Sequence, residues 1–335
     1  GSRKGFILNM LDKKYKKMSK IPSISEEINE VEASEIISRK FNSLSPDYGR
    51  LISNWLCDAY LPFKDIDKYL NTIHLINNDF KFYMRNGVII DYDKFYSDKT
   101  LEIDKINLAE VSRSLNIPKE SIRRKIYQLE KSGVIKRIKK KIFIDRSAYI
   151  TAKPINTLRN ISKLLSSFNQ ILSLENPEIE VLDVAEIEKR IKKNFSFCWY
   201  FWYQFIFIYL ARWKKFFGDL EILSIGLIIT LNSVNNKNFV EKDLSSREWS
   251  KEIMGSDKTG VNAMSVSEIT NIPRPTVVRK LKYLLDNKYV KINKKKLYSL
   301  NIHDKKNMKA FTKLQELNII SLSNFMIRSF NGLKI

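Results

Sequence analysis

The chain of 335 residues contains two histidines and two cysteines. Cys57 and Cys198 lie far apart, too few for a disulfide framework or a metal cluster; both fall in apolar stretches and are expected to act as small buried hydrophobes. Their scarcity fits a reducing cytoplasm. His74 and His303 are also distant and read as ordinary core or surface residues. Walker and Gly-rich dinucleotide loops are absent, as is Cys/His metal spacing. The chain is therefore not expected to be an enzyme, and neither metal nor cofactor is expected. The basic segment 1–25, which opens on a Gly1-Ser2 pair resembling a cloning remnant, has only a short apolar run and no secretory pattern.

Charge is abundant and one-sided: 59 Lys+Arg stand against 37 Asp+Glu, a net +22. Such an excess implies a polyanionic partner, nucleic acid first and an anionic membrane surface second. A chain rich in Lys, Asn and Ile carries part of that excess from coding composition, so its placement matters more than its size.

Placement follows a repeat. "NIPKESIRRKIYQLEKSGVIK" begins at Asn116, and "NIPRPTVVRKLKYLLDNKYVK" begins at Asn271, 155 residues later. "SDKT" occurs at Ser97 and again at Ser256, "LAEV" at Leu108 parallels "VSEI" at Val266, and Phe63 and Asp65 parallel Phe217 and Asp219. These collinear matches imply a duplication, with one unit over residues 26–176 and a second over 177–335. The joint is expected at "LENPE", Leu174 to Glu178, because Pro177 breaks a helix. Each unit reads as two or three helices, two short helices, a basic hairpin and a closing helix. The first unit's opening helices are predicted over Glu26–Phe41, Asp47–Ala59 and Asp65–Phe82, and the closing helices over Asn156–Leu174 and Lys305–Phe330.

Inside the first repeated stretch, Ile122, Ile126 and Leu129 recur at i, i+4 and i+7, an apolar stripe that turns Lys119, Glu120, Ser121, Arg123, Arg124 and Tyr127 outward. Gly133 suits the helix's C-terminal cap, and a hairpin follows with Arg137, Lys139, Lys140 and Lys141 at its basic tip. In the second, Val277, Leu281 and Leu284 form the stripe; Arg274, Thr276, Val278, Arg279 and Lys282 face outward, and Lys294, Lys295 and Lys296 sit at the tip. There Lys288 replaces the glycine, so that cap is expected to be less relaxed. Residues 119–141 hold ten Lys/Arg and two Asp/Glu, and residues 274–296 hold nine and one, net +8 each. Solvated helix faces mix signs; these do not. The expected partner is double-stranded DNA, whose major groove admits a helix, whereas that of A-form RNA is too deep and narrow.

The pattern "IPKESIRRKIYQLEKSGVIKR", a helix followed by Leu-Glu-Lys-x-Gly and a wing, resembles winged helix-turn-helix transcriptional regulators of the MarR-like group. The resemblance covers roughly 45 residues of the first copy and 40 of the second, and it implies a mainly α fold with small β-hairpin wings. In that family flanking helices build a two-fold dimer; two covalent units here imply a monomer acting as a pseudo-dimer. Its function would be sequence-specific transcription regulation, cytoplasmic and nucleoid-associated. The alternatives are a tandem winged-helix replication initiator and a nucleoid-structuring protein.

"FSFCWYFWYQFIFIYLA", Phe195 to Ala211, is uncharged but spans 17 residues, short of the roughly 20 a bilayer needs. Its counterpart, Phe41 to Cys57, is polar, so the helix is expected in the core and not in a membrane. The family resemblance also suggests a pocket for a small aromatic effector, with Trp199, Trp202, Tyr203 and Trp213 as candidate lining.

Overall fold

The structure, a computed structural model, describes residues 30–234, 242–254, 260–301 and 305–333. The predicted tail over residues 1–25 and His303 lie outside these residues. The chain is mainly helical with two small antiparallel sheets.

The first half runs α1 (Glu30–Arg39), α2 (Phe41–Tyr60), α3 (Ile66–Arg85), the single turn α4 (Tyr92–Phe95), β1 (Thr100–Ile103), α5 (Leu108–Leu115), α6 (Lys119–Lys131), β2 (Ile135–Ile138), β3 (Lys141–Asp145) and α7 (Ile155–Glu175). The second runs α8 (Val184–Lys193), α9 (Phe195–Phe217), α10 (Leu220–Val234), α11 (Ser246–Met254), α12 (Ala263–Thr270), α13 (Arg274–Asp286), β4 (Val290–Ile292), β5 (Tyr298–Leu300) and α14 (Lys305–Gly332). Asn176, in extended conformation, ends α7 just before Pro177.

Two boundaries differ most from expectation, and α3 also runs three residues past Phe82 to Arg85. Phe41 begins α2 instead of closing α1, and Pro46 lies inside α2. Proline has no N–H for the Asn42 carbonyl, and the Ser45 hydroxyl donates to that oxygen at 3.3 Å in its place. The aromatic helix α9 continues six residues past Ala211 to Phe217, where Gly218 caps it at φ 74°.

The first sheet has the order β1-β3-β2. Leu101 faces Ile144, Ile103 faces Ile142 and Ile135 faces Ile144, so one face carries the apolar side chains into the core. In the second sheet β4 pairs with β5, and a lone bridge from Val261 to Tyr298 stands in the place of β1.

The helices of the two halves pack reciprocally. The closing helix α7 lies on α2, and α14 lies on α9. Then α7 also meets α8, while α14 meets α1. Likewise α3 packs on α9 of the other half, and α10 packs on α2. Polar ties fix these crossings: Arg328 pairs with Glu30 at 2.9 Å, and the Ser323 hydroxyl donates to the Glu30 carbonyl. At the matching crossing, Asn169 bonds both Glu180 O and Leu182 N. In the middle, Phe195, Trp199 and Trp202 of α9 are essentially fully buried. Trp202 and Phe325 meet edge-on at 5.6 Å, and Phe80 stacks on Phe95 at 4.8 Å. Each such ring removes about 150–250 Å² from water, worth roughly 4–6 kcal/mol at most. Among the described residues no single helix is long and apolar enough to cross a membrane. Only α9 and α10 taken together reach that length and composition, and they are bent by 97° at their junction.

Candidate nucleic-acid interface

The turn between α5 and α6 is built by short polar side chains. Asn107 caps α5, accepting from the backbone N–H groups of Ala109 and Glu110 at 3.2 Å. Asn116 ends α5 in the left-handed region at φ 54°, and the Ser112 hydroxyl donates to the Ile117 carbonyl at 2.7 Å. Pro118, at φ −55° and ψ 137°, then points the chain into α6. The second copy repeats each device in one register: α12 has eight residues like α5, so Val266 matches Val111 and not Leu108, as the sequence parallel had it. Asn262 caps α12, Asn271 takes φ 61°, Ser267 donates to Ile272 O at 2.6 Å, and Pro273 has φ −54° and ψ 137°.

The apolar stripes are buried as predicted: Ile122, Ile126 and Leu129 in α6, and Val277, Leu281 and Leu284 in α13. One cation on each helix turns inward. Lys125 pairs with Asp65 at 2.5 Å, and Lys280 pairs with Asp219. Each aspartate also accepts an N–H from the first turn of α3 or α10, Lys68 N in one case and Ile222 N in the other. Each candidate helix is thereby tied to the helix beneath it. Burial pushes Asp219 up, but hydrogen bonds from Glu221 and Lys280 outweigh it and leave the carboxyl below its ordinary value. Burial, reinforced by Asp219, pushes the neighbouring Glu221 up to about 7. These ties were not legible in the sequence; the parallel of Asp65 with Asp219 was their only trace.

Of the candidate contact residues, Ser121 and Thr276 are half-buried and the rest are exposed: Lys119, Glu120, Arg123, Arg124, Tyr127, Arg137, Lys139, Lys140 and Lys141 in the first half, and Arg274, Val278, Arg279, Lys282, Lys294, Lys295 and Lys296 in the second. Some of the +8 on each stretch is neutralised within the chain. Lys125 and Lys280 lose their charge to Asp65 and Asp219, and Lys136 and Lys141 face Asp145 and Glu102. Arg123 with Glu120, Arg137 with Glu130 and Lys282 with Asp286 pair inside the stretches and leave the +8 unchanged. Arg124, Lys139, Lys140, Arg274, Arg279 and Lys295 have no carboxylate partner among the described residues. The first hairpin turns through Lys139 and Lys140, at φ 47° and 67°, between the paired Ile138 and Lys141. The second tip is longer, with the Asn293 side chain accepting from Lys295 N and Leu297 N.

The four aromatics expected to line one pocket do not share one, although Trp199 and Tyr203 meet. Trp199 and Trp202 are packed into the core because they sit on the face of α9 that α3 and α14 cover. Trp213 lines an apolar cavity of about 120 Å³ together with Phe41, Gly49, Leu227, Trp249 and Phe311. Tyr203 lines a separate pinched space of about 10 Å³ with Tyr69, Phe95 and Tyr149. These spaces occupy matching places in the two halves, with Phe95 standing where Trp249 stands and Tyr203 where Gly49 stands. Where Tyr203 carries its phenol, the Leu231 side chain packs over Gly49. Cys198 is buried, but Cys57 is half-buried; burial raises their thiols to about 12 and about 11, which keeps both protonated.

No family model matches the chain, and no curated protein and no solved structure is similar to it. The functional reading rests on the geometry of the two exposed helices and their hairpins.

Proposed function

We propose that the chain is a sequence-specific double-stranded DNA-binding transcriptional regulator, with two winged helix-turn-helix readers of MarR-like type in one single-chain pseudo-dimer. The reading rests on one observation: α6 and α13 expose basic faces and are held by the same cap, left-handed Asn, Ser–carbonyl bond and Lys–Asp tie. Each is followed by a hairpin whose tip carries unpaired lysines. A helix of this kind enters the major groove with its N-terminal residues at the base edges, and the wing lysines sit against phosphate.

The reciprocal packing of the helices supports a two-fold-like arrangement of the readers. Half-sites would then be inverted, about 34–36 Å apart along B-DNA. Tandem direct repeats, the pattern of a replication initiator, would not match such an arrangement. The outward residues differ: Glu120, Arg123 and Arg124 on α6, against Thr276, Val278 and Arg279 on α13. The preferred site is accordingly an imperfect palindrome. In vitro selection followed by footprinting and light scattering tests this. An inverted pair of half-sites held by one chain is expected. Direct repeats, two chains per short site, or a selected site bound no better than random duplex would overturn the reading.

A further inference from the structure

A groove of about 860 Å³ opens between α3, α5, α9 and α14, within the range of small-molecule sites and separate from the exposed faces of α6 and α13. Five cations line it: Lys81, Arg113, Arg212, Lys215 and Arg328. No carboxylate among the described residues does. Lys81 and Arg328 already face Glu110 and Glu30. Arg113 and Lys215 have no carboxylate partner among the described residues. Among the described residues the Arg212 guanidinium donates to neutral acceptors, Leu317 O, Asn318 Oδ1 and Ser321 Oγ, at 2.8–3.1 Å. Cations gathered this way repel one another unless an anion sits among them.

The groove also has an apolar and a polar wall. Phe201, Phe205 and Phe207 contribute rings, and Ile208 is 46% exposed. Behind them, two buried polar atoms have no hydrogen-bond partner among the described residues: His74 Nδ1 and Asn77 Oδ1, on side chains each 3% exposed. Burial and the nearby Lys81 push the His74 imidazole down to about 4, so at neutral pH it is uncharged.

The repeat makes the groove one-sided. At the matching places in the other half stand Asp47 for Phe201, Asp58 for Arg212, Leu61 for Lys215 and Glu268 for Arg113. Its cationic chemistry is therefore no by-product of the shared fold.

We propose that this groove binds one phosphorylated ligand carrying an aromatic ring, the chemistry of a nucleotide. Several separate cations suit the multiple charge of a phosphoryl chain better than a single carboxylate. The phenylalanines and Ile208 offer the ring an apolar face, beside which His74 and Asn77 also line the groove. Arg113, Ser114 and Asn116 lie at the end of α5 and the turn into α6, so the ligand would touch the frame of the first reader.

The test is calorimetric titration of the full chain, without DNA, using ATP and inorganic tripolyphosphate. One ATP per chain is expected, with tripolyphosphate at least 10-fold weaker. The exposed substitutions Arg113→Glu and Lys215→Glu should each weaken ATP at least 10-fold, whereas Lys140→Glu and Lys295→Glu in the hairpins should leave it unchanged. In the wild-type chain, ATP should also shift the His74 imidazole nitrogen resonances, a readout that needs no variant. No binding at millimolar ATP, equal binding of tripolyphosphate, or loss on the hairpin substitutions instead of the groove ones would each overturn the proposal. DNA binding by α6 and α13 is measured separately and does not depend on the outcome.

Discussion

Replacing Lys139-Lys140 by Asn-Gly should make the protein more stable and a poorer DNA binder. Both lysines have positive φ, 47° and 67°, in a two-residue turn closed by the Ile138–Lys141 pair. That turn favours Asn-Gly, because a side chain with a β-carbon crowds the backbone there by about 1–2 kcal/mol per residue. Asn tolerates the conformation and Gly is free of the strain. Against this, Gly releases more chain entropy on unfolding, by about 0.5–1 kcal/mol. The net gain expected is about 1 kcal/mol, or roughly 2 °C in melting temperature. If both ammonium groups sit on phosphates, removing them lowers the log–log salt slope by about 1.8. Thermal unfolding and fluorescence anisotropy across a salt series measure the two effects on one variant. A lower melting temperature would refute the strain assigned to the turn. An unchanged salt slope would refute the contact of this hairpin with the DNA backbone.

The wild-type slope should be about −7 if each reader neutralises about four phosphates, and a value near zero would remove DNA as the partner. Arg124→Ala and Arg279→Ala should each weaken specific binding by about 1–3 kcal/mol if they read base edges, with stability changed by less than about 0.5 kcal/mol; selected and random duplexes titrated side by side decide it. Lys288, at φ 61°, occupies the place that Gly133 takes at φ 82°, so Lys288→Gly should stabilise by about 0.5–1 kcal/mol in denaturant melts. Gly133→Ala should destabilise by about 1 kcal/mol for conformational reasons alone, since nothing lies within 4 Å of the added methyl. Glu221 has a folded pKa of about 7 against an ordinary 4.5, so the folded state holds the proton more tightly. Its contribution is fully present below pH 4.5 and lost as pH rises through 7, by up to about 3 kcal/mol. Glu221→Gln should flatten that slope and raise stability at pH 8; a slope equal to wild type would assign the dependence elsewhere.

Much of each half was legible in the order of residues. The stripes at Ile122, Ile126 and Leu129 and at Val277, Leu281 and Leu284 needed only helical periodicity, because that spacing puts three apolar side chains on one face wherever the helix sits. The closing helices, observed over Ile155–Glu175 and Lys305–Gly332, fell within two residues of expectation because proline and long periodic runs mark their ends. Strand β1 escaped: Leu101 and Ile103 alternate over only four residues, and their meaning depends on β3, some forty residues later. What tertiary structure alone decided is which cations face out and which helices meet. Lys125 and Arg124 are neighbours with the same charge, yet Lys125 reaches Asp65 and Arg124 meets no carboxylate among the described residues. The packing of α14 on α1, the place of Tyr203 beside Tyr69, and the groove that joins His74 to Phe201 and Arg328 all bring together residues more than a hundred positions apart. Periodicity reports the face a side chain takes on its own helix. Only packing sets what that face is pressed against.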